Sequence, residues 1–102
     1  MIHVLATIDL APGTRDAFLR EFNANVPAVL QEGGCLEYGP TVDFPTGLAA
    51  QIPDRPDVAV IVEKWSDLAA LQAHLKAPHM LTYRERVKGY VVKVSLQVLQ
   101  PA

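Results

Sequence analysis

The residues from Val58 to Val62 form an unbroken run of five apolar side chains, four of them β-branched. Such a run is typical of a β-strand that is covered on both of its faces. A chain of 102 residues has little material for two covering layers, since proteins of this size bury only roughly two-thirds of their unfolded surface. This strand therefore restricts the possible folds more than any other segment does.

Three further strands are predicted from the pattern of apolar residues. Apolar and polar side chains alternate over residues 2–9 and over about 90–99, and this period of two indicates strands. Another strand is predicted from Cys35 to about Asp43. The segment 44–57 contains three prolines and one glycine, which favours a long loop before the apolar run.

A first helix is predicted between the first two strands. Thr14 follows a Pro-Gly break and is the expected N-cap, and Gly33-Gly34 is expected to end the helix. Pro27 is predicted to kink the helix or to break it locally, because proline lacks a backbone N–H. The apolar positions recur at helical spacing: Phe18, Phe22, Val26 and Val29.

A second helical region is predicted after the apolar strand. Ser66 and Asp67 are suitable capping residues, and leucines follow at helical spacing. Pro78 interrupts this helix, but proline is favoured in the first turn, so a short second segment is predicted from Pro78 to Val87. Gly89 is expected to end that segment before the last strand.

The predicted order is β-α-β-β-α-β in one domain over residues 1–102. With right-handed connections this order gives an α+β, ferredoxin-like fold, in which two helices lie on one face of a four-stranded antiparallel sheet. The second face then lacks a cover, although the strand at 58–62 is apolar on both sides. A second copy of the chain is the simplest cover, so a homodimer is predicted.

Composition excludes several classes of function. The net charge of −2 and the pI near 5.8 argue against nucleic-acid binding, which needs clustered basic residues. No apolar run is long enough to span a membrane, and the N-terminus does not have the pattern of a signal peptide. Cys35 is the single cysteine, which favours a reducing compartment and predicts a cytoplasmic protein.

The segment 65–90 concentrates the polar rings: Trp65, His74, His79 and Tyr83. A helix break at a sheet edge favours a crevice, and rings with polar tips suit an apolar one. His74 would act there as a base, because histidine titrates near neutrality. A structural role at the edge of the core is an equally strong interpretation. Arg86 is a candidate for stabilising an oxyanion, although a surface cation is the more common role for such a residue.

A metal site is not expected at the histidines. His74 and His79 are five residues apart with Pro78 between them, so they do not share a helical face as an i,i+4 pair does. No third ligand stands nearby, apart from Glu63 if its side chain pointed the right way. Phosphate-binding, nucleotide-binding and serine-nucleophile motifs are also absent.

Several segments resemble one known family nearly from end to end. They are PAVLQEGGCLEYGPTVD (27–43), EKW (63–65), AHLKAPHM (73–80) and VSLQVLQP (94–101). In these segments the chain resembles the antibiotic biosynthesis monooxygenase family of dimeric α+β barrels. The resemblance implies oxidation of a small aromatic hydroquinone by molecular oxygen, without a metal or an organic cofactor.

The same resemblance implies roles for individual residues. His74 would be the base that forms the hydroquinone anion, and His79 would orient it or relay protons. The other implied substrate-binding residues are Trp65, Tyr83, Phe22, Tyr38 and Arg86. The segment around Tyr38 and the LQP ending point to the members of the family that oxidise quinols.

Three other functions are alternatives to this one. Heme-degrading relatives use an asparagine, a tryptophan and a histidine where this chain has Ala6, His74 and Arg86 or a neighbour, so heme degradation is not expected. Another relative processes a phosphorylated autoinducer sugar and also carries H-x3-P-H, which leaves isomerisation by proton transfer as an alternative. A dimeric binder of small aromatics without turnover is the third.

Overall fold

The computed structural model describes residues 1–102 as four strands and three helices. In chain order they are β1 (Ile2–Leu10), α1 (Arg15–Leu30), β2 (Cys35–Thr41), β3 (Val58–Trp65), α2 (Leu68–Lys76), α3 (Pro78–Val87) and β4 (Val91–Leu99). The strands form one antiparallel sheet in the order β2-β3-β1-β4. The predicted ferredoxin-like α+β fold is confirmed.

Only one face of the sheet is covered by helices. On β1 and β3 every second side chain points to this helix face and is buried, among them Val4, Ala59 and Ile61. The intervening residues Val60 and Val62 lie on the open face and are only half-buried. Within one chain, the prediction of a strand buried on both faces is therefore fulfilled on the helix side alone.

The helices cover the sheet unevenly. They pack against β2, β3 and one another, and they leave the edge strand β4 largely uncovered. Three apolar side chains of β4 pair with buried residues of β1, so they face the helix side, yet about half of each is exposed. We call these three residues the β4 patch: Val94, Leu96 and Val98.

Pro27 does not break the first helix, so the predicted local break is wrong. α1 continues from Arg15 to Leu30 with Pro27 inside it and ends before Gly33-Gly34. Pro27 removes a single hydrogen bond to the carbonyl of Asn23, and both residues are exposed, so water replaces the lost bond. Thr14 is the N-cap residue of α1, as predicted, but its hydroxyl accepts no capping hydrogen bond and donates to the carbonyl of Ala11 (2.7 Å).

The loop between β2 and β3 is anchored at its base. β2 ends at Thr41, two residues earlier than predicted, and the carboxylate of Asp43 accepts two hydrogen bonds from the guanidinium of Arg55 (2.9 and 2.8 Å). The guanidinium of Arg15 donates to the carbonyls of Arg55 and Val58. These contacts hold both ends of the loop against the start of α1.

None of the three helices combines the length and the apolar character that a membrane-spanning helix needs.

We expect the substitution Gly34→Ala to destabilise the fold by about 2–4 kcal/mol. Gly34 has φ of +81°, and a Cβ there would lie 2.5 Å from Ser66 Oγ and 2.6 Å from Ala70 Cβ. Gly33→Ala is the matched control, since a Cβ at Gly33 would meet nothing within 4 Å. Urea unfolding of both variants measures the difference. Equal free energies of unfolding would contradict the close approach of Gly34 to the start of α2.

Candidate active site

A cavity of about 390 Å³ lies between the helix face of the sheet and helices α2 and α3. Its lining is mostly apolar, and its volume falls in the range of small-molecule sites. Ala6, Ile8 and Ile61 form its floor on the sheet, and Val94 and Leu96 of the β4 patch form one side. The cavity thus extends toward the strand that the helices leave uncovered.

His74 is brought into this cavity by α2. The carboxylate of Asp67 accepts a hydrogen bond from the backbone N–H of Ala70 (2.8 Å) and so fixes the start of the helix. His74 then falls on the inner face two turns later, where only 2% of the residue is exposed. Pro78 begins α3 directly after α2, as predicted, and places His79 on the far side of the bend.

Both histidines contact one carboxylate oxygen. Glu32 Oε2 lies 2.9 Å from Nδ1 of His74 and 2.7 Å from Nε2 of His79. Glu32 belongs to the turn after α1, where its backbone is held by hydrogen bonds to Val29 and from Cys35. Sequence reasoning missed Glu32, because it lies 42 residues from His74 and no local pattern links the two.

The shared carboxylate determines the state of His74. A carboxylate oxygen accepts, so the proton of the neutral ring lies on Nδ1 and the lone pair of Nε2 is left free. Burial lowers the pKa of His74, and the hydrogen bond to Glu32 opposes that shift. His74 is therefore a neutral, oriented imidazole in an apolar wall, which is the form that a general base requires.

Aromatic rings surround His74. Trp65 lies 4.7 Å and Tyr38 5.3 Å from it between ring centroids. Phe22 stacks on Tyr38 at 5.3 Å with an interplanar angle of 14°, and Tyr83 meets Phe22 edge-on at 5.6 Å. Burial raises the pKa of both tyrosines, so they remain neutral phenols at physiological pH.

The residues predicted for the site separate into two groups. Those that line the cavity are His74, Phe22, Tyr38 and Tyr83. Trp65 is fully buried behind His74, and His79 lies beyond Glu32, so neither reaches the cavity wall. Trp65 and His79 therefore contact residues of the site, His74 and Glu32 respectively, without lining the cavity themselves.

Arg86 does not lie at the cavity, so the expectation that it stabilises an oxyanion there is not met. Its side chain is 57% exposed and lies 4.0 Å from Glu21 on the outer surface. Residues one helical turn apart share a side of α3, and the cavity side instead carries Arg84 and Lys88. Arg84 is held there by a hydrogen bond from its guanidinium to the carbonyl of Leu75 (2.8 Å).

Glu63 is the second ionisable group of the cavity wall. It points to the helix face from β3, is only 6% exposed, and accepts a hydrogen bond at Oε1 from Trp65 Nε1 (2.9 Å). Burial raises the pKa of Glu63 to about 7, and the charge of Glu32 adds to the shift. The sequence alone indicates Glu63 only as a possible metal ligand. The alternation of β3, which places it beside Ile61, could have revealed its position.

No group of three or more histidine, cysteine, aspartate or glutamate side chains is arranged to hold a metal ion. Glu32 with the two histidines is a hydrogen-bonded set, in which the ring nitrogens already use the carboxylate oxygen. The chemistry that this donor set supports is the movement of protons.

A ferredoxin-like sheet whose helix face carries an apolar cavity with an oriented histidine and a buried carboxyl is the architecture of a small-molecule site. The family model described as "Antibiotic biosynthesis monooxygenase" matches residues 1–86. The chain belongs to this family, as predicted from the resemblance of its sequence segments. It is an enzyme of the monooxygenase class.

Known relatives agree with this assignment. The chain is 44% identical over 103 residues to "Probable quinol monooxygenase YgiN" of Escherichia coli strain K12, covering 99% of this chain and 98% of that protein. The crystal structure of PA3566 from Pseudomonas aeruginosa matches with a TM-score of 0.81 and 28% identity, over 99% of this chain and 93% of that one. Rv0793 from Mycobacterium tuberculosis shares the fold, with a TM-score of 0.79 at 24% identity, over 99% and 94%.

We expect Glu63→Gln to change how stability depends on pH. The folded chain binds the Glu63 proton up to about pH 7, whereas an unperturbed glutamate carboxyl titrates near 4.5. The free energy of unfolding of the parent therefore falls as pH rises between these values, by on the order of 2–3 kcal/mol from this group. The variant lacks this loss.

Urea unfolding at about pH 5 and pH 8 measures the effect as the difference between parent and variant. His74 has the opposite influence, because its lowered pKa favours the fold as pH rises, but it contributes equally to both proteins. Glu21→Gln, on the outer surface, is the matched control and should keep the parent's slope. An unchanged slope in Glu63→Gln would show that the Glu63 carboxyl titrates normally.

Proposed function

We propose that this chain oxidises hydroquinones to quinones with molecular oxygen, without a metal or an organic cofactor, and that His74 is the base. One observation carries the proposal: a neutral, buried imidazole with a free Nε2 lies in an apolar cavity walled by aromatic rings. The name of the relative that is 44% identical supports the substrate class.

The reaction needs proton removal before electron transfer. A neutral hydroquinone reacts slowly with oxygen, whereas its anion is a much better electron donor. His74 Nε2 takes a hydroxyl proton, and the anion gives its electrons to oxygen. In sum, the hydroquinone loses two protons and two electrons, and oxygen gains them as hydrogen peroxide. If one oxygen atom is inserted instead, the products are a hydroxylated quinone and water.

The surrounding residues prepare His74 and the substrate for this step. Glu32 fixes the imidazole and stabilises the imidazolium that forms, since charge develops beside a carboxylate in a dry site. His79 contacts the same oxygen, so it helps to hold Glu32 in the orientation that His74 requires. Phe22, Tyr38 and Tyr83 provide the faces against which an aromatic substrate packs.

Isomerisation of a sugar phosphate is the second candidate function. Arg84 and Lys88 line the cavity on one side, where their charges would suit an anionic group. His74 would serve as the base for proton transfer in that reaction as well. Isomerisation consumes no oxygen, so an oxygen electrode with a panel of hydroquinones separates the two. A non-catalytic binder would quench the fluorescence of Trp65 without a rate above the uncatalysed control.

We propose that the active form is a homodimer. On the open face, Leu5 of β1 and Leu99 of β4 are partly exposed, and Leu5 pairs with the half-buried Val62. Burial of such surface stabilises by roughly 25 cal/mol per Å². A second copy that covers the open face supplies that burial and completes the barrel that the family resemblance implies.

We expect His74→Ala to lower the rate of oxygen uptake with a reduced naphthoquinone by about 100-fold or more, because general-base catalysis typically contributes that much. His3→Ala is the matched control, since His3 lies on β1 away from the cavity. Chromatography should confirm that both variants retain the parent's association state. If His74→Ala oxidises the substrate as fast as the parent between about pH 6 and 8, His74 is not the base.

We expect Leu5→Lys to convert the dimer to a monomer at micromolar concentration, because it places a charge in the centre of the open face. Leu48→Lys is the control, since Leu48 lies in the loop between β2 and β3 and is already exposed. Light scattering coupled to size exclusion measures the mass of each variant. A parent that is monomeric throughout would overturn the proposed assembly.

A further inference from the structure

We propose that Glu63 is a second proton acceptor of the reaction, which takes the hydroquinone proton that His74 does not. The inference rests on the proposed function, because it concerns the protons of the same substrate. Its basis is a carboxyl group that is built into the cavity wall and only partly satisfied by its neighbours.

The placement of Glu63 is unusual for a charged residue. It occupies a core position on a central strand, between Tyr38 of β2 and Val4 of β1 in the sheet register. Residues at such positions are normally apolar, because a buried charge is costly unless it is paired. No lysine or arginine pairs with Glu63; its one hydrogen-bond donor is the indole of Trp65.

That single hydrogen bond involves only one of the two carboxyl oxygens of Glu63. Trp65 Nε1 donates to Oε1, and Oε2 has no donor from the chain. Every fully buried side-chain oxygen or nitrogen has a hydrogen-bond partner, so Oε2, which has none, is not fully buried. Because Glu63 lines the cavity, Oε2 is the atom that the cavity can reach. An acceptor oxygen without a donor, at the wall of a substrate-sized cavity, suits a hydroxyl group of the guest.

Trp65 connects Glu63 to His74. Its indole N–H holds the carboxyl, and its ring lies 4.7 Å from the imidazole. Both proton-accepting groups are therefore fixed by one fully buried side chain. This gives Trp65, which does not reach the cavity, a positioning role for two residues that do.

The stoichiometry of the reaction needs a second acceptor. A hydroquinone releases two hydroxyl protons as it gives up two electrons, and His74 holds one proton at a time. In the proposed sequence Nε2 of His74 takes the first proton and the carboxylate of Glu63 takes the second. Both protons then pass to the reduced oxygen, which leaves as hydrogen peroxide with the quinone as the other product. Both side chains return to their starting states.

The electrostatic surroundings suit this task. Burial brings the pKa of Glu63 to about 7, where a carboxyl both accepts and releases protons readily. Val4, the neighbour of Glu63 on β1, is apolar. Lys64 follows Glu63 on β3 and points to the open face. The titratable groups around Glu63 or on the same cavity wall are Glu32, Cys35, Tyr38, His74, Tyr83, Arg84 and Lys88.

The variant Glu63→Gln tests the proposal, because its amide oxygen still accepts from Trp65 while the group no longer takes up a proton. We expect kcat to fall by about 100-fold or more with KM little changed, since a positioned proton-transfer group typically contributes that much. The inflection of kcat near neutral pH should disappear. Glu21→Gln, remote from the cavity, should behave as the parent.

A second variant and a spectrum complete the test. Trp65→Phe removes the donor that favours the carboxylate, so the kcat inflection should move to higher pH. Infrared difference spectra of the parent should show a protonated carboxyl that titrates near neutrality and is missing in Glu63→Gln. Should Glu63→Gln fail to fold, the shift in Trp65→Phe and the spectrum of the parent still decide the matter.

The outcomes separate the two proposals. An active parent with a Glu63→Gln variant of equal kcat and pH profile would overturn the role of Glu63 and leave the hydroquinone reaction intact. A Trp65→Phe inflection that does not move, or a parent carboxyl that does not titrate near neutrality, would do the same. A parent that consumes no oxygen with any hydroquinone would overturn both.

Discussion

The uneven cover of the sheet is the constraint on which the rest of this structure depends. The three helices pack against β2, β3 and one another, but they do not reach across β4. A gap remains under α3, walled by apolar residues because the strand beneath keeps its core-facing pattern. The cavity is thus a consequence of helix placement, and burial in its wall shifts the pKa values of Glu63 and His74.

Within that cavity, one carboxylate organises the chemistry. Glu32 accepts from both His74 and His79, so the ring of His74 has a single orientation and a single neutral tautomer. An imidazole buried without such a partner would lose its charged form by desolvation and could not hold a proton for long. The low dielectric that makes His74 a neutral base is balanced by a carboxylate that stabilises its protonated state.

Much of this arrangement could be predicted from the sequence, and the reasons for the failures are physical. The order of strands and helices followed from local periodicity, and Pro78 correctly divided the second helix. The local break predicted at Pro27 was wrong, because the carbonyl of Asn23, one turn earlier, is exposed and can accept a hydrogen bond from water at little cost. The contact of Glu32 with the histidines and the outward direction of the Arg86 side chain depend on how α1 and α3 pack together. No local sequence pattern encodes that packing.

The distribution of charge suits the proposed oxidation without a metal or organic cofactor. Electron transfer to oxygen is favoured once the substrate is an anion, so the protein must accept protons without creating an unpaired buried charge. In the proposed reaction His74 becomes a cation next to the anion of Glu32, whereas Glu63 becomes neutral when it takes a proton. One acceptor completes an ion pair and the other removes a lone charge, so each protonation is favourable in an apolar cavity.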